Sequence, residues 1–234
     1  MRARLGCEKM DSRTALKAGT TLRFNDGWEY TITDELARGG SSIVYNAYYI
    51  DNLETKKTVR IKECYPFRCN LRRLSDGNLL IPETERKLFA QTKQKMRRAY
   101  QLGNEFFAAD GLTNLTANTY NIYEANHTLY VVSVYAQGQE LSYDRYFSVK
   151  DSIAAVKSAA TAISKIHNKG FLYLDIKPSN ILTLEGTTEL IQLFDFDTVV
   201  PISDVPELGD KISFTKGFAA LELQRGDGKR IGTH

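Results

Sequence analysis

Asp175-Ile-Lys-Pro-Ser-Asn180 decides the reading of this chain. An Asp, a Lys two residues on and an Asn five residues on follow a helical pattern and precede a strand pattern. Phosphoryl transfer wants such a set. The carboxylate accepts a hydroxyl proton and aims the nucleophile, the ammonium neutralises charge on the moving group, and the amide oxygen is a hard ligand suited to Mg²⁺. Asp195 lies fifteen residues after Asn180 at the end of an apolar strand, where it can hold the same ion. Taken alone, Asp175 and Asn180 also read as turn and capping residues; Lys177 and Asp195 in register argue against that. Upstream, Lys62 ends a strand and can reach phosphates as a point charge. Arg38-Gly-Gly-Ser-Ser42 is a small-residue turn whose backbone N–H groups can approach phosphates closely.

Around these motifs the pattern changes along the chain. Residues 1 to about 16 are polar and unpatterned, and a loose tail is expected there. Short runs rich in β-branched and aromatic residues then predict strands at 21–24, 30–33, 42–50 and 57–62, separated by Asn25-Asp-Gly and Gly39-Gly40. Residues 83–109 read as helical, with Phe89, Met96 and Tyr100 on roughly one face and Gly103 as an interruption that divides them into one or two helices. Strands follow at 119–123 and 128–134. The clearest helix spans about 149–168: Ser148 caps it, Ile153, Val156, Ala160, Ile163 and His167 repeat at helical spacing, and Gly170 ends it. A hairpin around Glu185-Gly-Thr comes next, and the chain from 198 on reads as irregular. The fold class is α+β, with a β-rich first half and a more helical second half.

Composition sets the outer bounds. With 42% hydrophobic residues in 234, the chain can bury a sizeable core. A net charge of +3 with dispersed basic residues argues against nucleic acid as a partner. No apolar run approaches the ~20 residues a membrane helix needs, so no membrane partner is expected. Cys7, Cys64 and Cys69 contain no CxxC pair, and the three histidines lie far apart, so reduced thiols and a cytoplasmic setting are the simplest account.

Taken together, five motifs resemble those of eukaryotic-like Ser/Thr protein kinases of the bacterial type. Leu36-Ala-Arg-Gly-Gly-Ser-Ser-Ile-Val-Tyr45 resembles the Gly-rich loop, and Val59-Arg-Ile-Lys62 the V-A-I-K strand. Tyr173-Leu-Asp-Ile-Lys-Pro-Ser-Asn180 resembles the catalytic loop, Asp195-Phe-Asp197 D-F-G, and Ala220-Leu-Glu222 A-P-E. The strand ending Ile61-Lys-Glu-Cys-Tyr-Pro66 also resembles that of the bacterial branch. The resemblance implies a two-lobed fold: residues 1–19 a tail, 20–136 the β-rich N-lobe and hinge, and 137–234 a truncated or minimal helical C-lobe. It implies ATP and Mg²⁺ as cofactors and a protein substrate. Lys62 would bind the α/β-phosphates, with Glu105 as its ion-pair partner. Gly39 and Gly40 would approach the phosphates. Val134 and Ala136 would hold the adenine edge, and Leu36, Val44 and Leu182 would sandwich the ring. Asp175 would be the base, Lys177 the phosphate neutraliser, Asn180 and Asp195 the metal ligands, and Thr215 the activation-segment residue that contacts the catalytic Asp and Lys.

Several positions depart from the family pattern. Ala37 and Ser42 replace the first and third loop glycines, which stiffens the loop. Arg60 stands where a small residue usually packs on adenine, on the same face as Lys62. Tyr173-Leu174 replaces His-Arg, so activation is expected not to depend on a phosphate anchored there. The chain stops shortly after the A-P-E-like motif, which leaves an apolar C-lobe face for a partner or a missing C-terminal segment to cover. The expected function is ATP-dependent phosphorylation of Ser or Thr on protein, and the alternative is a pseudokinase that binds nucleotide or a partner.

Overall fold

The computed structural model describes residues 11–108, 119–134, 138–141, 147–184, 191–205, 214–227 and 231–232. The chain divides into two compact units, residues 1–94 with 121–132, and residues 95–120 with 133–234.

Alternating burial builds the first unit. Its strands are β1 (Thr21–Arg23), β2 (Glu29–Arg38), β3 (Ser42–Ile50), β4 (Lys56–Cys64), β5 (Arg72–Arg73), β6 (Leu79–Leu80), β7 (Thr119–Ala125) and β8 (Thr128–Val134). Six of them form one sheet in the order β1-β2-β3-β4-β8-β7, and β5 pairs with β6 in a small hairpin turned by Gly77 at φ +89°. Strands β3 and β4 pair antiparallel from Ser42 opposite Cys64 to Ile50 opposite Lys56. Val59, Ile61 and Glu63 therefore face the buried side, and Arg60 and Lys62 share the half-open side. The buried side is filled by Ile32, Ile43, Tyr45, Val59, Ile61, Leu129 and Tyr130. Phe24 stacks on Tyr123 at 3.9 Å between ring centroids.

The expected loose tail is corrected for residues 11–19; residues 1–10 lie outside the described ones. Leu16 is buried, its N–H donates to the Tyr45 hydroxyl at 3.1 Å, and Arg13 is buried too. The polar letters hid the order because its partners are backbone carbonyls far along the chain.

Helix α1 (Arg86–Ala108) follows a 3₁₀ turn at Glu83–Glu85 and runs through Gly103 without a break. A Cβ at Gly103 would sit 3.9 Å from the Phe196 ring, which is ordinary contact. Phe89 and Met96 are buried, as the apolar face implies.

The second unit centres on α2 (Val149–Asn168). The Ser148 hydroxyl accepts from the Asp151 N–H at 3.1 Å, and Gly170 at φ +81° ends the helix. Around α2 lie β9 (Gly138–Glu140), β10 (Phe171–Tyr173), β11 (Ile181–Leu184), β12 (Ile191–Leu193) and β13 (Val199–Pro201), with the short α3 (Leu221–Gln224). Strand β10 pairs with β13, while β12, β11 and β9 form a three-stranded sheet. Gly138 is required where β9 meets β11: a Cβ there would lie 2.8 Å from the Thr183 carbonyl oxygen. Small and apolar residues of α2, Ala155, Ala162 and Ile166, are buried, and the core joins Ala162 and Ile166 to Phe106, Ile191, Leu193 and Phe196. Of the residues at helical spacing, Ile153, Val156 and Ala160 are exposed instead. Phe214, Phe218 and Leu221 are exposed as well.

Candidate active site

The 3₁₀ turn Pro178–Asn180 links the extended segment after β10 to β11 and folds the motif back on itself. The Asn180 Nδ2 donates to the Asp175 carbonyl at 2.9 Å and to its Oδ2 at 3.3 Å. The Lys177 Nζ lies 2.7 Å from Asp175 Oδ2 and donates to Thr215 Oγ1 at 3.0 Å. The Thr215 N–H donates to Asp175 Oδ1 at 3.0 Å. Asp175 and Asn180 are buried, and Lys177 is partly open with 21% of its side chain exposed. Four residues spread over forty positions thus meet at one carboxylate.

Asp195 is brought to the same end of the β11–β12 pair. Ile181 stands opposite Leu193, and the Phe194 N–H donates to the Asn180 carbonyl at 3.2 Å. Asp195 has left-handed backbone geometry at φ 65°, ψ 65°, which a short polar side chain tolerates. Phe196 then turns into the core against Phe106 and Tyr173. Burial, followed by the charges of Asp195 and Asp175, pushes the Tyr173 phenol well above its ordinary pKa. It stays protonated and donates to the Phe194 carbonyl at 2.6 Å.

A family model described as "Protein kinase domain" matches residues 87–232. The chain belongs to the protein kinase family. A probable casein kinase I homologue of Encephalitozoon cuniculi is 28% identical over 205 residues, covering 85% of this chain and 56% of that protein. Serine/threonine-protein kinase D of Synechocystis sp. is 30% identical over 113 residues, 46% of this chain and 22% of that protein. Among solved structures, the apo form of PpkA-294 superposes with a TM-score of 0.64 at 26% identity, covering 90% of this chain and 71% of that chain. Another solved kinase domain, 15% identical with a TM-score of 0.65, shares the fold. The chain spans about half the length, or less, of these curated relatives. The architecture is the α+β protein kinase fold, and the relatives include a bacterial serine/threonine-protein kinase.

The remaining expected kinase residues are placed as follows. In the first unit, Lys62 is half-buried on β4 opposite Val44 of β3, itself half-buried. Leu36, Gly39 and Gly40 are exposed on and after β2. Ser42, at the third loop-glycine position, is already in β3 and buried. In the second unit, Glu105 is exposed on α1. Leu182 is buried on β11 opposite Glu140. Val134 is the last residue of β8, and Ala136 lies outside the described residues. Among the described residues, no helix is long and apolar enough to cross a membrane.

Sequence reasoning assigned no role to Arg13, Glu63 or Arg73. Glu63 carries the clearest missed signal: strand alternation sets it among Val59 and Ile61, where a carboxylate demands a cation. The Arg73 Nη2 supplies it at 2.6 Å from Oε2.

Proposed function

We propose that this kinase domain transfers the γ-phosphoryl group of ATP to Ser or Thr hydroxyls of a protein substrate. The observation that carries the proposal is the Asp175 carboxylate with Lys177, Asn180 and Thr215 gathered on it. The donors described use both lone-pair directions of Oδ2 and one of Oδ1, so Oδ1 keeps an acceptor site for the substrate hydroxyl. As the hydroxyl oxygen bonds to the γ-phosphorus, the bond to the ADP oxygen breaks and the hydroxyl proton passes to Asp175. Lys177, held between Asp175 and Thr215, faces the developing charge with little reorganisation. Lys62 serves the α/β-phosphates, with Glu105 as its partner. Gly39 and Gly40 approach the phosphates. Leu36, Val44 and Leu182 hold the adenine ring, and Val134 and Ala136 its edge.

The metal donor set fits Mg²⁺. Asn180 directs its amide nitrogen to Asp175, which turns its amide oxygen the other way, and Asp195 adds a carboxylate at the same strand end. Mg²⁺ favours one or two protein oxygens completed by phosphate and water. When bound, the ion neutralises phosphate charge. We read residues 20–136 as N-lobe and hinge and 137–234 as the part that carries the catalytic loop. The exposed apolar residues of α2 suit cover by a protein partner, and the buried free thiols Cys64 and Cys69 suit a cytoplasmic setting.

The test is radiolabel transfer from Mg·ATP to an acceptor protein. Asp175→Ala is expected to lower the rate about 10²- to 10⁴-fold. Equal labelling by the variant and the parent would refute the assignment.

A further inference from the structure

The turn that joins β2 to β3 has all four of its carbonyls engaged. The Gly39 carbonyl accepts from Arg13 Nη2 at 2.9 Å, that of Gly40 from the Phe67 N–H at 2.9 Å, and that of Ser41 from the Tyr65 N–H at 3.1 Å. The Ser42 carbonyl accepts from the Gly39 N–H at 2.9 Å and from Arg13 Nη1 at 3.3 Å. Arg13 Nη1 also donates to the Tyr65 carbonyl. One guanidinium, on a residue 7% exposed, therefore clasps both ends of the turn and the exit of β4. Its orientation is fixed from behind. Asp11 accepts from Nε at 3.0 Å and Nη2 at 2.6 Å, and Arg38 donates to the Arg13 carbonyl at 2.9 Å.

We infer that Arg13 is a positioning residue for nucleotide binding, and that the segment 11–16 is a strap that sets the shape of the glycine turn from outside. A peptide group is planar, with C=O and the following N–H pointing in opposite directions. Drawing the Gly39 and Gly40 carbonyls toward Arg13 and Phe67 turns the Gly40 and Ser41 N–H groups to the opposite side. Gly40 is exposed, with no atom within 4 Å of where its Cβ would be, so phosphate oxygens can approach that side. The planar fork of Arg presents five N–H donors in fixed, spread directions to these carbonyls and to Asp11, whereas Lys has three on one nitrogen. The inference rests on the reading of residues 39–42 as the phosphate-facing turn.

The test compares the parent with Arg13→Gln and Arg13→Lys by amide hydrogen exchange without nucleotide, and by Mg·ATP titration with turnover. In Arg13→Gln, exchange at Gly39, whose N–H is bonded to the Ser42 carbonyl, is expected to rise roughly tenfold or more, since the charge-assisted bonds that hold the turn are lost. The Kd for Mg·ATP is expected to weaken about 5- to 30-fold because the competent turn is less populated. The kcat is expected to stay within about twofold, a split that general unfolding does not give. Arg13→Lys should fall between, and it decides the matter if Arg13→Gln does not fold. Unchanged exchange at Gly39, or faster exchange there with unchanged Mg·ATP affinity, overturns the inference. A parent that binds no Mg·ATP while Arg13 still governs exchange overturns the nucleotide reading instead and leaves the strap's hold on the turn standing.

Discussion

Two acid–base clusters of similar make-up sit in the two units, and they differ in closure. In the first unit, Glu63 is fully buried. It accepts from Tyr45 at 2.7 Å, Tyr130 at 2.8 Å and Arg73 at 2.6 Å. Burial, then the Glu63 charge, pushes both phenols well above their ordinary pKa, so they remain donors. Arg73 is occupied further by the carbonyls of Thr14 and Gly77. In the second unit, Asp175 takes its bonds from a main-chain N–H, an amide and an ammonium that is partly open to solvent. The first cluster satisfies itself and shuts water out. Among the described residues, the second holds its carboxylate in place and leaves one acceptor direction of Oδ1 unused. A satisfied ion pair stabilises a core, whereas an acceptor left available can do chemistry.

The sharpest way to break this comparison is to remove one carboxylate from each cluster and measure unfolding. Glu63→Ala leaves the Arg73 guanidinium buried without its counter-charge and is expected to cost about 3–5 kcal/mol of stability. Asp175→Ala should cost less than about 2 kcal/mol, because its partner Lys177 can turn to water. Urea denaturation of both variants decides it. Equal losses would mean that closure does not distinguish the clusters.

A smaller effect separates the partners. Lys177→Met keeps length and removes the charge. Phosphoryl transfer is expected to fall about 10²-fold, near 2.7 kcal/mol of transition-state stabilisation. The melting temperature should fall less than for Glu63→Ala, since Asp175 keeps the Asn180 amide and the Thr215 N–H as donors. Steady-state rates beside a thermal melt check this. A large drop in melting temperature with an unchanged rate would assign Lys177 to structure.

Much of this was legible because it is local or periodic. Ser148 and Gly170 bounded α2, and alternation on β4 put Lys62 and Arg60 on one face. The Asp175 cluster was legible from the spacing of Asp175, Lys177 and Asn180, and Thr215 was added by resemblance. What escaped depends on distant partners. Arg13 bonds to residues 26 to 52 positions away, and no period in residues 11–16 announces it. Strands β10 and β13 are three residues each, too short to show alternation. Gly103 reads as a helix breaker, yet α1 runs straight through it in the stretch where Leu102 and Phe106 join the Phe196 core. Ile153 and Val156 show the converse: periodicity tells which residues share a face, not whether anything packs on it.

The smallest expected effect lies in the strap, which stands between the two cases: charged like the Glu63 cluster, but open at one end. The side-chain bond from Arg13 holds the Asp11 carboxyl down at about 2, below the ordinary 3.8. A depressed carboxylate stabilises the fold above its unfolded pKa, and that contribution disappears as pH falls through the folded value. The window is therefore about pH 4 down to about 2. Asp11 is 26% exposed, so solvent screening keeps the contribution under about 1 kcal/mol. Asp11→Asn should lower stability slightly at pH 6 and flatten the loss of stability between pH 4 and 2, read from urea midpoints at each pH. Parallel curves for parent and variant would show that the Arg13–Asp11 contact contributes nothing in solution, and that Arg13 is held by the loop carbonyls alone.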